Sequence, residues 1–383
     1  MTLKVARRSA IPPFIAMEVL RAANARAASG KGVYHLELGQ PDTPAPAAVI
    51  EAAKQALDND RLGYTEALGI PPLREAIAGH YRQTYGLVVD PGRIVVTTGS
   101  SGAFMLGFLA AFEPGDRVAL AAPGYPAYRN ILLALDLVPI DLPVGPETRF
   151  HPTPAMLDAL ENPVEGLIVA SPANPTGSML HPDELKALVA HCSGHGIRLV
   201  SDEIYHGIVY DGAAASAAAF GEDVIVVTSF SKYFSMTGWR LGWMILPPDL
   251  VRAVERLAQN LFISAPTLPQ LAALAVFGCG AELDGNVARY RRNRDLLLAE
   301  LPKAGLQRFA PPDGAFYLYA DVANLTNDSE AFCRRMLEET GVATTPGTDF
   351  DSGRGHRSLR ISFAGSTEDM AEAARRLIRW LAR

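Results

Sequence analysis

Between residues 94 and 246, seven short runs of β-branched and apolar residues recur, most of them separated by stretches with helical spacing. They are IVVTT (94–98), RVALAA (117–122), LVPIDL (137–142), GLIVAS (166–171), RLVSDE (198–203), VIVVTSF (224–230) and RLGWMIL (240–246). Runs with so few polar interruptions suit strands buried on both faces, under helices. Intervening helices join strands that lie parallel. The pattern therefore predicts an α/β fold whose large domain holds a mostly parallel seven-stranded sheet covered by helices. The last two runs lie too close together for a crossover helix, which predicts one antiparallel pairing.

The flanking sequence adds a second, smaller unit. Residues 14–29 have helical spacing, and LELGQPD (36–42) reads as a strand running into a turn. Residues 46–58 and a stretch stopped by Gly86 read as helices, with a Gly- and Pro-marked loop between them. Beyond about residue 250 the pattern is helix-rich, and AFYLYADV (315–322) and SLRISFA (358–364) are its clear strands. The expected division is an N-terminal segment, 1–45, joining a smaller α+β domain, 276–383, with the large cofactor-binding domain at 46–275. The Ala-rich stretch 211–220 reads as a surface connection.

Composition narrows the function. Of 383 residues, 49% are apolar and 20% charged, enough to fill large cores and too apolar for disorder. The balance of 35 Lys+Arg against 41 Asp+Glu, net −6, with no basic block, argues against nucleic acid as a partner. Cys192, Cys279 and Cys333 are too scattered for a CxxC metal site or a disulfide framework and fit a reducing compartment. No apolar stretch reaches the roughly 20 residues that span a bilayer. Pro12, Pro13 and Glu18 break the run that a signal peptide would need. The expectation is a soluble cytoplasmic protein.

Chemistry-bearing residues sit where the strand-like runs end, which is where doubly wound α/β proteins bind ligands. GSSGAF (99–104) opens a helix and offers Ser100 and Ser101 as phosphate donors, although Ser-Ser is also an ordinary helix cap. Lys232 follows a buried run, where a lysine is costly unless paired or chemically used. A desolvated lysine near other cations loses basicity and can attack an aldehyde. Ser229, Ser231 and Arg240 around it suit a phosphate dianion. Asn174 precedes a proline, Asp202 stands at a strand end, and Tyr205 follows three residues on. Taken singly, these also read as a turn, a helix cap and a packed aromatic. His191 and His195 share a helix face with Cys192 between them, but the sequence places no third ligand, so no metal is assigned.

Together the motifs G-S-S-G-A (99–103), P-x-Y-P-x-Y (123–128), N-P-T-G (174–177), D-E-I-Y (202–205), S-F-S-K-x5-G-W-R-x-G (229–242) and R-I-S-F-A (360–364) resemble the class I/II aminotransferases of fold type I. These enzymes depend on pyridoxal 5'-phosphate. The resemblance runs from about residue 30 to the end. It implies that Lys232 binds the cofactor aldehyde and then moves the substrate proton, and that Asp202 pairs with the ring nitrogen. It implies that Tyr205 and Asn174 hold the ring hydroxyl, that Tyr125 stacks on the ring, and that Asn174–Pro175 is cis. Ser100, Ser101, Ser229, Ser231 and Arg240 would hold the phosphate, joined by Tyr64 from a neighbouring subunit, which makes the protein a homodimer with shared sites. Arg360 would clamp the substrate α-carboxylate, and Gly39 would place its backbone beside the substrate.

Three functions share this pattern. One is a transaminase acting between an amino acid and a 2-oxo acid such as 2-oxoglutarate. Another is a β-lyase or synthase on the same scaffold, and the last is a non-enzymatic cofactor-sensing domain. The uncharged segment IPPFIAM (11–17) favours a neutral or apolar amino acid.

Overall fold

In the computed structural model, which describes residues 3–382, the strands are β1 (Tyr34–His35), β2 (Ile94–Thr97), β3 (Arg117–Ala122), β4 (Val138–Pro143), β5 (Gly166–Ala170), β6 (Arg198–Asp202), β7 (Ile225–Ser229), β8 (Gly242–Ile245), β9 (Arg308–Phe309), β10 (Tyr317–Asp321), β11 (Val342–Ala343), β12 (Thr345–Pro346) and β13 (Ser358–Ser362). Residues 1–2 and 383, the outer ends of the expected first and last segments, lie outside the described residues. All seven predicted runs join one sheet, in the order β2-β8-β7-β6-β5-β3-β4.

Alternation along the central strands separates two apolar layers. Val95, Ile225, Val227 and Met244 face Phe104, Phe108 and Val254 on helices Gly99–Ala111 and Pro248–Leu261. Val96, Val226 and Trp243 face Ile77, Tyr81 and Leu188 on helices Pro71–Tyr85 and Pro182–His195. Burial on both faces is why these runs read as uninterrupted apolar stretches. The edge strand β4 departs from this, with Val138 and Asp141 exposed.

The sheet corrects one count. β8 lies between β7 and β2 and runs antiparallel to both, so there are two antiparallel pairings where one was expected. Sequence order gives no sign that the last strand inserts beside the first.

A four-stranded antiparallel sheet, β12-β13-β10-β9, covers a further core with helices Gly280–Glu300, Ser329–Thr340 and Thr367–Leu381. The N-terminal segment enters here. β1 pairs in parallel with β11, and Ser362 N–H donates to Leu36 O at 2.7 Å. Helix Ile15–Ala28 begins at Phe14, which offers no side-chain cap, and Asp349 takes that role. Its carboxylate accepts from Ile15 N at 2.9 Å and Ala16 N at 3.2 Å, a negative charge at a helix N-terminus. Two expectations fail in detail. The strand expected at 36–42 is the two-residue β1 just before it, and 36–42 is irregular. The stretch 211–220 is only partly a surface connection, because Ser216 and Ala217 are buried. Among the described residues, no single helix is long and apolar enough to cross a membrane.

Candidate active site

Because β3, β5, β6 and β7 are parallel, their carboxyl ends emerge along one edge of the sheet. Asp202 ends β6, Asn174 follows β5, and Lys232 follows β7. Tyr125 opens the helix after β3, and Ser100 and Ser101 sit in the first turn of the helix after β2. The reversed β8 brings Arg240, just before it, to the same edge. These side chains line one cavity of about 190 Å³, together with Ser231, Thr237, Tyr128, Tyr205, Gly39, Tyr317 and Arg360. Two other hollows, of about 310 and 450 Å³, are larger. One is built around exposed arginines and the other is almost wholly apolar, and neither gathers a comparable set of reactive groups.

Lys232 is the nucleophile candidate. Its Nζ donates to Gly39 O at 2.6 Å and lies 5.7 Å from the Tyr205 ring centroid. Burial, reinforced by the Arg360 and Arg240 charges, pushes its pKa down to about 8 against the opposing pull of Asp202. Asp202 is pushed up to about 6, first by burial, while the Tyr128 hydroxyl and Ile204 N–H hold it down. It accepts from Tyr128 Oη and, at 3.0 Å, from Ile204 N, and makes no ion pair among the described residues. A carboxylate this buried calls for a cation in front of it.

At one end of the cavity, Gly99 adopts φ +70°, and Arg240 Nη2 lies 2.5 Å from where a Cβ on Gly99 would sit. That close approach brings the guanidinium to the helix N-terminus bearing Ser100 and Ser101. Arg240 donates to Thr237 O at 3.0 Å. Ser231 reaches the cavity; Ser229 does not line it. The Ser229 hydroxyl is bonded to Leu241 O at 3.2 Å and Ser231 Oγ at 2.9 Å, and it accepts from Ser231 N at 3.1 Å. Tyr64 also lies outside the cavity in its own chain and is 85% exposed.

At the other end Arg360 is buried without a carboxylate partner. It donates to Asn174 Oδ1 at 2.9 Å, to Thr345 Oγ1 at 3.2 Å and to Glu37 O, and its Nε has no partner. Tyr317 and Phe350 sandwich it, their ring centroids 4.6 and 4.8 Å from Cζ. Phe14, Ala16 and Met17 also line the cavity, Phe14 edge-on to Tyr125 with ring centroids 5.8 Å apart. The bonds Asn174–Pro175, Ser171–Pro172 and Ala122–Pro123 are cis.

Two aromatic participants escaped the sequence reading. Tyr128 lies within the P-x-Y-P-x-Y motif, for which the resemblance implies a role at Tyr125 alone. Tyr317 sat in a strand-like run, where an aromatic reads as packing. Its neighbour at the site, Arg360, lies in the R-I-S-F-A motif far along the chain, so nothing next to Tyr317 in sequence marks that run as facing the site. Outside the cavity, Asp158 stands 3.5 Å from His191 Nε2, and His191 stacks on His195 with centroids 4.1 Å apart, on the exposed side of their helix.

The residues fit pyridoxal phosphate. A buried acid lacking a counter-ion suits a ring nitrogen that carries a proton, and a lysine of lowered pKa suits an aldehyde. Paired serines, a helix N-terminus and an arginine suit a phosphate.

The comparisons agree with this chemistry. The family model for aminotransferase class I and II matches residues 31–377. A valine–pyruvate aminotransferase of Mycobacterium tuberculosis is 51% identical, with 100% of this chain and 99% of that protein covered. An aspartate/prephenate aminotransferase of Thermus thermophilus is 35% identical over 92% of each chain. Among solved structures, an aminotransferase from Mycobacterium tuberculosis superposes with a TM-score of 0.98 at 51% identity over the full length of both chains. The Thermus thermophilus aspartate aminotransferase with maleate reaches 0.93 at 34% identity, over 99% of this chain and 100% of that one. The chain belongs to the class I and II aminotransferases, a family of pyridoxal-phosphate enzymes.

Proposed function

We propose that this aminotransferase takes the amino group of a neutral, apolar L-amino acid, valine or one like it, and delivers it to a small 2-oxo acid. The observation that carries the substrate reading is the carboxylate end of the cavity. Arg360 is the one guanidinium there, buried between two rings and lacking a carboxylate partner, and the N-terminal segment adds Phe14, Ala16 and Met17 to the cavity wall. One arginine answers one α-carboxylate. The side chain then meets apolar surface, because the other two cations among the described lining residues, Lys232 and Arg240, are taken up by the cofactor. The name of the 51% identical relative, which pairs valine with pyruvate, supports the same choice and favours pyruvate over the 2-oxoglutarate expected from sequence.

When bound, pyridoxal phosphate supplies an electrophilic carbon and a ring that accepts electrons. Ser100, Ser101, Ser231 and Arg240 bind its phosphate, with Ser229 holding Ser231 in place. Asp202 holds a proton on the ring nitrogen, and Tyr128 holds Asp202. Tyr205 and the Asn174 amide bind the ring hydroxyl; Asn174 Oδ1 is already occupied by Arg360, so its NH₂ is the end that turns to the cofactor. Tyr125 covers the ring face. Lys232 Nζ is the amine that would hold the cofactor and that, once free, would take the proton from the substrate Cα. Gly39 O, its acceptor in the structure, keeps that amine aimed across the cavity.

In this reading residues 46–275 carry the cofactor, while 276–383 with 1–45 carry Arg360 and the apolar N-terminal wall. The enzyme is a cytoplasmic homodimer in which the exposed Tyr64 reaches the partner's phosphate. The test is a half-reaction screen, in which each amino acid alone is mixed with holoenzyme, followed by turnover with pyruvate and with 2-oxoglutarate. Valine and other apolar amino acids should convert at least about tenfold faster than aspartate or glutamate. A faster reaction with the dicarboxylic acids would sink the substrate reading. Release of ammonia without formation of the amine form of the cofactor would mark a lyase instead.

A further inference from the structure

We propose that Tyr317 is a positioning residue joining the two ends of the site: its hydroxyl sets how strongly Tyr205 donates to the cofactor ring oxygen, and its ring face holds Arg360 ready for the substrate α-carboxylate. This rests on the reading of Lys232, Tyr205 and Arg360 given above.

Tyr317 opens β10, a central strand of the four-stranded sheet, and is fully buried. Its Oη lies 2.6 Å from Tyr205 Oη, and its ring lies over Arg360 Cζ at 4.6 Å. The position is fixed from a third side, because a Cβ on Gly39 would collide with the Tyr317 hydroxyl. Gly39 is also the residue whose carbonyl holds Lys232. One phenol thus touches the residue that meets the ring oxygen, the residue that meets the carboxylate, and the backbone that aims the lysine.

The proton arrangement follows. Two facing hydroxyls share one hydrogen bond, so one donates and the other accepts. Tyr205 must direct its own proton to the cofactor oxygen, which leaves Tyr317 as the donor to Tyr205. Burial holds both phenols protonated, their pKa values raised above the ordinary range. A donor behind a donor polarises it, so Tyr205 binds an anionic ring oxygen more strongly than it would alone. That withdraws charge from the ring oxygen and loosens the proton on the lysine-linked nitrogen. The charged groups facing the pair and Lys232 are Arg360, Arg240 and Asp202, with Tyr125 as a further phenol. None of them is altered by removing the Tyr317 hydroxyl.

The experiment compares wild-type holoenzyme with Tyr317→Phe, which keeps the ring, and Tyr317→Leu, which does not. The bound cofactor's visible band is titrated with pH, and half-reactions with valine and alanine are run to saturation. Tyr317→Phe should raise the midpoint of the colour change by about half a pH unit or more and lower kcat about threefold or more. Its half-saturation for amino acids should stay within about twofold, because the ring still covers Arg360. Tyr317→Leu should add a rise of about tenfold in half-saturation for every amino acid. If Tyr317→Leu does not fold, Tyr317→Phe decides alone. A Tyr317→Phe enzyme with the wild-type midpoint and kcat overturns the proposal, even if its Tm falls, since Tyr317 would then only pack. Wild-type protein that takes up no cofactor would instead overturn the underlying reading of the site.

Discussion

At the phosphate end of the cavity Ser231, Lys232, Thr237 and Arg240 come from a single stretch between β7 and β8, whereas at the carboxylate end Gly39, Asn174, Tyr317 and Arg360 come from four segments scattered along the chain. Apart from Ser100 and Ser101, which arrive on the helix after β2, the first end is fixed locally. Two adjacent strands and a helix N-terminus hold it, and its hydrogen bonds run between residues close in sequence, such as Ser229 to Ser231 and Arg240 to Thr237. The second end exists only when the N-terminal segment, the large sheet and the β10–β13 sheet are packed together. Arg360 alone bonds to Glu37 O, Asn174 and Thr345. The difference teaches that changes at one end should act on cofactor retention and at the other on substrate recognition.

That separation can be broken most severely through the residue at its centre. Lys232→Ala should abolish both the lysine-linked visible band and transamination, since no other lysine lines the cavity. A borohydride-reducible lysine adduct surviving in that variant would reassign the nucleophile. The same residue supplies the pH test. With its pKa near 8 in place of 10.5, Lys232 Nζ is half neutral at about pH 8 in the apoprotein. Only the neutral amine attacks, so the rate of cofactor capture should rise with pH through about 8 and flatten above it. A rate still climbing tenfold per unit at pH 10 would contradict the lowered basicity.

Arg360→Lys should come next, lowering kcat/KM for every amino acid by roughly 10²-fold, because an ammonium cannot match the planar two-point grip of a guanidinium on a carboxylate. Cofactor affinity should stay near wild type. If the cofactor were lost as well, the two ends would not be independent. Gly99→Ala is the converse probe. A methyl there meets Arg240 and a backbone at φ +70°, so cofactor Kd, followed by fluorescence quenching, should rise about tenfold while the valine half-reaction of the loaded enzyme is nearly unchanged. The smallest effect is expected at the N-terminal wall. Met17→Ala should change kcat/KM by a few-fold, more for valine than for alanine, as loss of apolar contact predicts. An equal loss for both would place Met17 away from the side chain.

The same contrast governs what the sequence revealed. The seven strands were legible because burial on both faces leaves an apolar run, and most phosphate-end residues were legible because they are neighbours along the chain. β9, β11 and β12 were not, since two-residue strands carry no period. β1 was misplaced for the same reason. Tyr317 and Tyr128 went unassigned because their roles depend on Tyr205, Arg360 and Asp202, which are far away in sequence and meet them only through packing. The second antiparallel pairing was missed because spacing between consecutive runs says nothing about a partner roughly 150 residues back.

That pairing has a consequence for how the protein is made. Among the described residues, β2 is an edge strand whose one neighbour in the sheet is β8, with Ile94 opposite Ile245. Gly242 lies so close to Gly99 and Ser100 that a Cβ there would sit 2.9 Å from Gly99 C and 3.0 Å from Ser100 N. During synthesis from the N-terminus, the strand that leads into the phosphate-binding helix therefore emerges early, with Val96 N–H bonded to Leu68 O but its sheet neighbour not yet made. A nascent chain stopped before residue 242 already holds every phosphate-binding side chain but lacks the strand that follows Arg240 and pairs with β2. The phosphate end is therefore assembled only when the reversed strand closes the sheet and the serine-bearing helix comes to rest against Arg240.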